Sequence, residues 1–190
     1  MADPSYIVDG VLTDGEAWVG IATTTITGDT TGVTFTSTAD GQVGDFSQYM
    51  DLVIIAYNQS DTEIYGALRL NNDTGGTSYG VQQFYGDGSS PAANAYAANY
   101  IHFGYLAKVS DGANVFSAQI IQLFDINSGK YKNVISQSAN DEDASGHVEL
   151  NSGIWKSQAS ITEIDILAWT GDWKAGSLFS LFGILPRMVA

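Results

Sequence analysis

Residues 155–185 read WKSQASITEIDILAWTGDWKAGSLFSLFGIL, and this stretch decides the fold. Within it, Ile164, Ile166 and Ala168 fall on one side of a period-two pattern, with Glu163, Asp165 and Leu167 on the other. After Gly171-Asp172 the alternation resumes, with Leu178, Ser180, Phe182 and Ile184 opposite Phe179, Leu181 and Gly183. Alternation bounded by Gly and Asp is a strand signal, and the spacing predicts an antiparallel pair joined at Gly171-Asp172. Such a pair is not stable alone in water, so the rest of the chain must supply sheets for it to pack against.

Strand signals recur along the whole length. Ala17–Thr25 and Val33–Thr38 are rich in β-branched residues and parted by Gly28-Asp29. Met50–Tyr57 (MDLVIIAY) is almost continuously apolar, which predicts a fully buried central strand. Ile64–Leu70, Val81–Tyr85 and Tyr100–Lys108 read as further strands, separated by Gly-, Asn- and Asp-rich turns. Residues 92–99 (AANAYAAN) carry alanine's helix propensity, but between Gly, Ser and Pro they read as a surface loop. Val115–Ile126 and Tyr131–Ser138 form a hairpin about Asn127-Ser128-Gly129-Lys130. A charged loop, Ala139–Gly146, leads through His147–Leu150 into the opening stretch. The expectation is an all-β fold: an antiparallel β-sandwich, jelly-roll-like, with about nine or ten strands and no long helix. Residues 1–16 read as an N-terminal arm and 17–190 as a single sandwich domain.

Composition narrows the function. Charged residues make up 15% of the 190 residues, below the roughly 25% of an average globular chain. Ser, Thr, Asn, Gln and Gly supply the polarity instead, which suits sheet surfaces and large protein contacts. Twenty-one acids against seven bases leave a net charge of −14, which opposes binding to nucleic acid or anionic lipid. Acidity of this size keeps a concentrated protein soluble. With no cysteine, thiol catalysis is excluded. The acidic start lacks the basic and apolar regions of a secretory signal, so synthesis in the cytoplasm is expected, the protein either staying there or leaving by lysis.

Chemistry finds little footing. His102 and His147 lie in strand context without metal-ligand spacing, and no G-x-S-x-G elbow occurs. Glu163 and Asp165, like Asp61 and Glu63, are spaced to share a strand face, but an acidic row opposite Ile164 and Ile166 reads as a solvated surface. Asp125-Ile126-Asn127-Ser128-Gly129 resembles half a calcium loop, yet Ser136 stands where the bidentate acid belongs. Asp141-Glu142-Asp143 reads as a solvated loop. No catalytic residue, metal or cofactor is expected, and the chain reads as a non-enzyme. Exposed aromatic groups can anchor a protein or stack on a sugar, which makes Tyr85, Tyr96, Trp169 and Trp173 the binding or interface candidates. Trp173, beside Gly171-Asp172, is the hardest of these to bury. The apolar tail Leu185–Ala190 is a candidate either to dock on a neighbour or to pack back on its own domain.

The segments Gly153–Ile166 (GIWKSQASITEIDI) and Gly171–Ile184 (GDWKAGSLFSLFGI) are similar to the closing segment of structural proteins of tailed bacteriophages, cyanophage-like ones in particular. DLVIIAY (Asp51–Tyr57), ALRLNNDT (Ala67–Thr74), FYGDGSS (Phe84–Ser90) and IIQLFDINSGKYK (Ile120–Lys132) resemble the same group in the same order. The resemblance spans about residues 45–185 and its motifs are structural. It implies a jelly-roll-like sandwich on the outside of a virion, often a trimer, placed on the head as a capsid decoration protein or on a tail fibre. The implied partners are copies of itself, the major capsid protein or other virion proteins, and a cell-surface glycan in the tail case. No shaft or β-helix repeat stands before the domain in these residues, which favours the head.

Overall fold

The computed structural model describes residues 18–62, 65–142 and 145–185, together with the backbone of 7–8 and 11–12. Its strands are β1 (Ile7–Val8), β2 (Val11–Leu12), β3 (Trp18–Thr25), β4 (Gly32–Thr36), β5 (Asp51–Ser60), β6 (Tyr65–Leu70), β7 (Tyr79–Gly86) and β8 (Pro91–Ala98). The remainder are β9 (Ile101–Tyr105), β10 (Ala107–Lys108), β11 (Ser117–Phe124), β12 (Lys132–Asp141), β13 (Gly146–Trp155), β14 (Glu163–Ala168) and β15 (Leu178–Ile184). The only helical pieces among the described residues are single 3-10 turns at Phe46–Gln48 and Val109–Asp111. The strands exceed the expected nine or ten because several predicted runs break and short pairs add to them. Of the expected arm, only the backbone of β1 and β2 is described, paired antiparallel; the tail beyond Leu185 lies outside the described residues.

Two sheets face each other. The larger runs β3-β15-β5-β11-β12-β13-β7-β8, with β10 joining β5 in parallel, and the smaller runs β4-β14-β6-β9. The chain shuttles between them: β3 is in the large sheet, β4 in the small, β5 in the large and β6 in the small. The all-β sandwich expected from the alternation is what forms.

The opening stretch is corrected in its pairing. β14 lies between β4 and β6 in the small sheet, while β15 lies between β3 and β5 in the large one. The two strands are therefore not a hairpin, and residues 169–177 carry the chain from one sheet to the other. Alternation reports that a segment is extended with one buried face; it does not name the neighbour. The face assignment itself holds, since Ile164, Ile166 and Ala168 are buried.

Trp173 shows what the crossing does. It is fully buried, packs edge-on against Phe179 at 5.0 Å, and donates its indole N–H to the Ile166 carbonyl at 3.0 Å. Its backbone bridges Thr30 and Ser60, so the turn is threaded into the sandwich instead of standing out from it. The expectation that Trp173 resists burial is thereby overturned: the indole N–H finds a carbonyl inside, which removes the penalty. Residues 92–99 are corrected as well, because Pro91–Ala98 pairs with Tyr79–Gly86 over eight positions as an edge strand. Proline is tolerated at the first residue of an edge strand, and alanine's weak propensity is overridden by a ready ladder.

Acids lock the turns. Asp45 accepts from the amides of Gly41 and Ser47, Asp87 from Ser89 and Ser90, and Asp73 from Gly75. Asp73 also accepts the Trp155 indole N–H at 2.8 Å, which, with those smaller contributions, holds its carboxyl below the ordinary range. A depressed carboxyl contributes stability that is complete above its unfolded value, about 4, and lost as pH falls through the folded value. Asp73→Asn is therefore expected to melt several degrees below the parent at pH 7, with the gap closing below about pH 4 in a thermal-denaturation series. A gap independent of pH would refute this assignment.

Candidate protein interface

The central strand β5 is where expectation and structure part most informatively. Leu52, Ile54 and Ala56 are buried between the sheets, but Ile55 and Tyr57 are 41% and 49% exposed on the outer face. Met50–Tyr57 is thus buried on both faces at Val53 but not at Ile55 and Tyr57. The small sheet covers one side of the large sheet, and no third sheet covers the other among the described residues.

Register places the outward residues in rows. Tyr57 lies beside Leu178 and Ala118, followed by Ala139 and Val148. The next row runs Ile55, Ile120, Gln137, Leu150, Phe84 and Ala93. The third runs Val53, Gln122, Ile135, Ser152, Gln82 and Ala95, with Val53 itself buried. No charged residue stands in these rows, although the chain carries −14 overall. A broad depression of about 760 Å³ opens over Ile55, Ile120, Leu150, Phe84 and Val148.

An outward face of an antiparallel sheet ordinarily alternates to polar. Here the alternation is inverted in β13, where Glu149 and Asn151 point inward and Val148 and Leu150 stand 68% and 48% exposed. In β12, Ser136 and Ser138 are buried while Ile135 is exposed. At about 200 Å² per large side chain and roughly half exposure, the eight large apolar groups of this face present on the order of 800 Å². Monomeric proteins seldom show more than about 600 Å² in one patch, and about 800 Å² is one partner's share of a standard interface.

The predicted aromatic candidates lie elsewhere and do not form one site. Tyr85 and His147 each pack on Tyr105, His147 stacked at 3.9 Å. Tyr96 is half-buried on β8, and burial pushes its hydroxyl above the usual range. Trp169 packs against Tyr100 at 4.1 Å, with the Arg69 guanidinium 5.3 Å from its ring. Trp173 is core. The sequence conceals the outer face because a continuous apolar run such as Met50–Tyr57 reads as a strand buried on both sides.

Beneath the inverted strands lies a closed polar cluster. His102 Nε2 sits 3.3 Å from both Glu149 oxygens, and Glu149 accepts from the Tyr105 amide at 2.8 Å and the Ser138 hydroxyl at 3.2 Å. His102 and Glu149 are both buried, so the pair braces β9 against β12 and β13 and presents nothing to a substrate. Asp165 accepts from Thr34 at 2.6 Å on the outer side of the small sheet. Asp125 binds Lys130 across the hairpin turn at 3.0 Å, which explains the half calcium loop as a turn lock. Glu63 and Asp143 lie outside the described residues. Among the described residues no cluster of three His, Cys, Asp or Glu is arranged to hold a metal, and no helix is long and apolar enough to cross a membrane.

No protein-family model, curated protein or solved structure matches this chain.

Glu149 tests the brace. Glu149→Leu leaves the Tyr105 amide and the Ser138 hydroxyl without their acceptor and the buried His102 ring without its partner, and is expected to cost about 3–5 kcal/mol, roughly 10 °C in melting temperature. A variant that melts within a degree or two of the parent would contradict the bracing role.

Proposed function

We propose that the chain is a non-enzymatic structural protein of a tailed-phage virion, of the type that decorates the outer head surface, and that it binds by burying the outer face of the large sheet on the shell protein beneath. The observation that carries this reading is that face: an uncharged apolar surface of interface size on a strongly acidic chain. The phage setting rests on the resemblance of segments spread over about residues 45–185, from Asp51–Tyr57 to Gly171–Ile184, to virion proteins. The face supplies the physical reason such a protein would attach. Asp40, Asp87 and Asp125 in turns and Asp165 on the outer side of the small sheet keep charge on other parts of the surface while the apolar face docks.

A second reading, a glycan-binding tail protein, is favoured by the Tyr100–Trp169–Arg69 patch, where an indole, a phenol and a guanidinium meet at the surface. Its mark would be glycan-array binding that disappears in Trp169→Ala.

Rebinding to particles stripped of the protein separates the two. The parent chain is expected to reattach, whereas Ile120→Lys and Leu150→Lys, each adding a charge at an exposed position, should stay free while keeping the parent's circular dichroism and melting temperature. Reattachment of both variants at parental levels would overturn the decorating role of this face.

A further inference from the structure

We propose that the free edge of β8 is where a second copy of this chain adds on, by antiparallel pairing of β8 with β8 across a two-fold axis. This goes beyond the function proposed above and does not depend on it, since the edge and the outer face are different surfaces.

The edge is unguarded in a way the other edges are not. Proteins blunt exposed edges with charges, bulges, shortness or a covering element, because unpaired N–H and C=O groups template further pairing. β3, at the opposite end of the large sheet, is paired through a register shift at Leu181/Phe182. β4 is five residues long. β9 is also five residues, is shifted at Gly66/Ala67, and lies over β12 and β13. β8 has eight residues, pairs with β7 without a shift, and reads PAANAYAA with no charge. Proline stands only at its first position. Among the described residues, no hydrogen bond reaches the main chain of 91–98 from any element other than β7.

A second copy is the occupant that this edge fits. The two-fold pairs one strand with itself, so alanines meet small side chains on the outward face, while on the inward face Tyr96 meets Ala92 or Asn94. No like charges are brought together on the edge, although each chain carries −14. Opposed residues of an antiparallel pair share a face, so the axis passes at a residue and not between two, and the longest overlap of 91–98 with itself puts it at Asn94 or at Ala95. Either register joins the outer faces of the two copies, since Ala93 and Ala95 continue the rows that include Phe84 and Gln82.

The chain lacks cysteine, so single cysteines report the geometry cleanly. Light scattering of the full chain is expected to give a dimer mass. Under mild oxidation Asn94→Cys or Ala95→Cys, whichever lies on the axis, should cross-link nearly completely, while Ala97→Cys and, on the opposite edge, Ala22→Cys should not. Ala95→Lys sets ammonium groups close to the axis, and the dimer should be lost with the monomer still folded by circular dichroism. A monomer or a trimer by light scattering would overturn the proposal, as would equal cross-linking at all four positions. These readouts need no particle, so they succeed or fail apart from the shell-binding test.

Discussion

A sandwich of two unequal sheets cannot cover both faces of the larger one, and this constraint shapes the molecule. The four-stranded sheet packs on one side of the nine-stranded sheet, and the core between them holds Leu52, Ile54, Leu68, Ile121, Ile164, Ile166 and Trp173, all fully or almost fully buried. Apolar burial of this kind supplies most of the driving force for folding. The opposite face of β5, β11, β12 and β13 is left with isoleucine, valine, leucine and tyrosine facing outward. Keeping such groups in water has a free-energy cost that covering them removes.

The polar side of the design answers the same constraint. Where β12 and β13 turn Ile135, Val148 and Leu150 outward, their inward positions carry Ser136, Ser138, Glu149 and Asn151; Ser138 and Glu149 are hydrogen-bonded inside, while the Ser136 hydroxyl and the Asn151 amide find no partner among the described residues. His102, Ser138 and the Tyr105 amide meet Glu149 there. Gln59 likewise donates to the Gly112 and Val115 carbonyls at 2.8 Å, and Asn58 to Gln119 at 2.6 Å. Such networks fix the register of the strands that share them. Register in turn is what aligns the outward residues into uncharged rows.

Strand positions could be read from the sequence because period-two alternation is a local property. The β11–β12 hairpin about residues 127–130 was equally plain, since its turn chemistry is local too. What could not be read was partnership. β14 and β15 enter different sheets because Trp173 is drawn into the core between them, a contact set by the surfaces it meets and not by its neighbours in sequence. The candidate surface was hidden for a related reason. HVELNSG looks like any alternating strand, and nothing local says that Glu149, not Val148 or Leu150, points inward. Of the aromatic candidates, Trp169 does sit at a surface patch, whereas Trp173 belongs to the core.

Side-chain labelling by hydroxyl radicals tests the central claim most directly, comparing the isolated chain with the chain bound to the proposed capsid shell. The account predicts that Tyr57, Phe84, Ile120 and Leu150 are labelled in the isolated chain and strongly protected in the assembly, while Tyr131 on the β11–β12 turn remains labelled in both. Equal labelling of the four outer-face residues in the two states would contradict it.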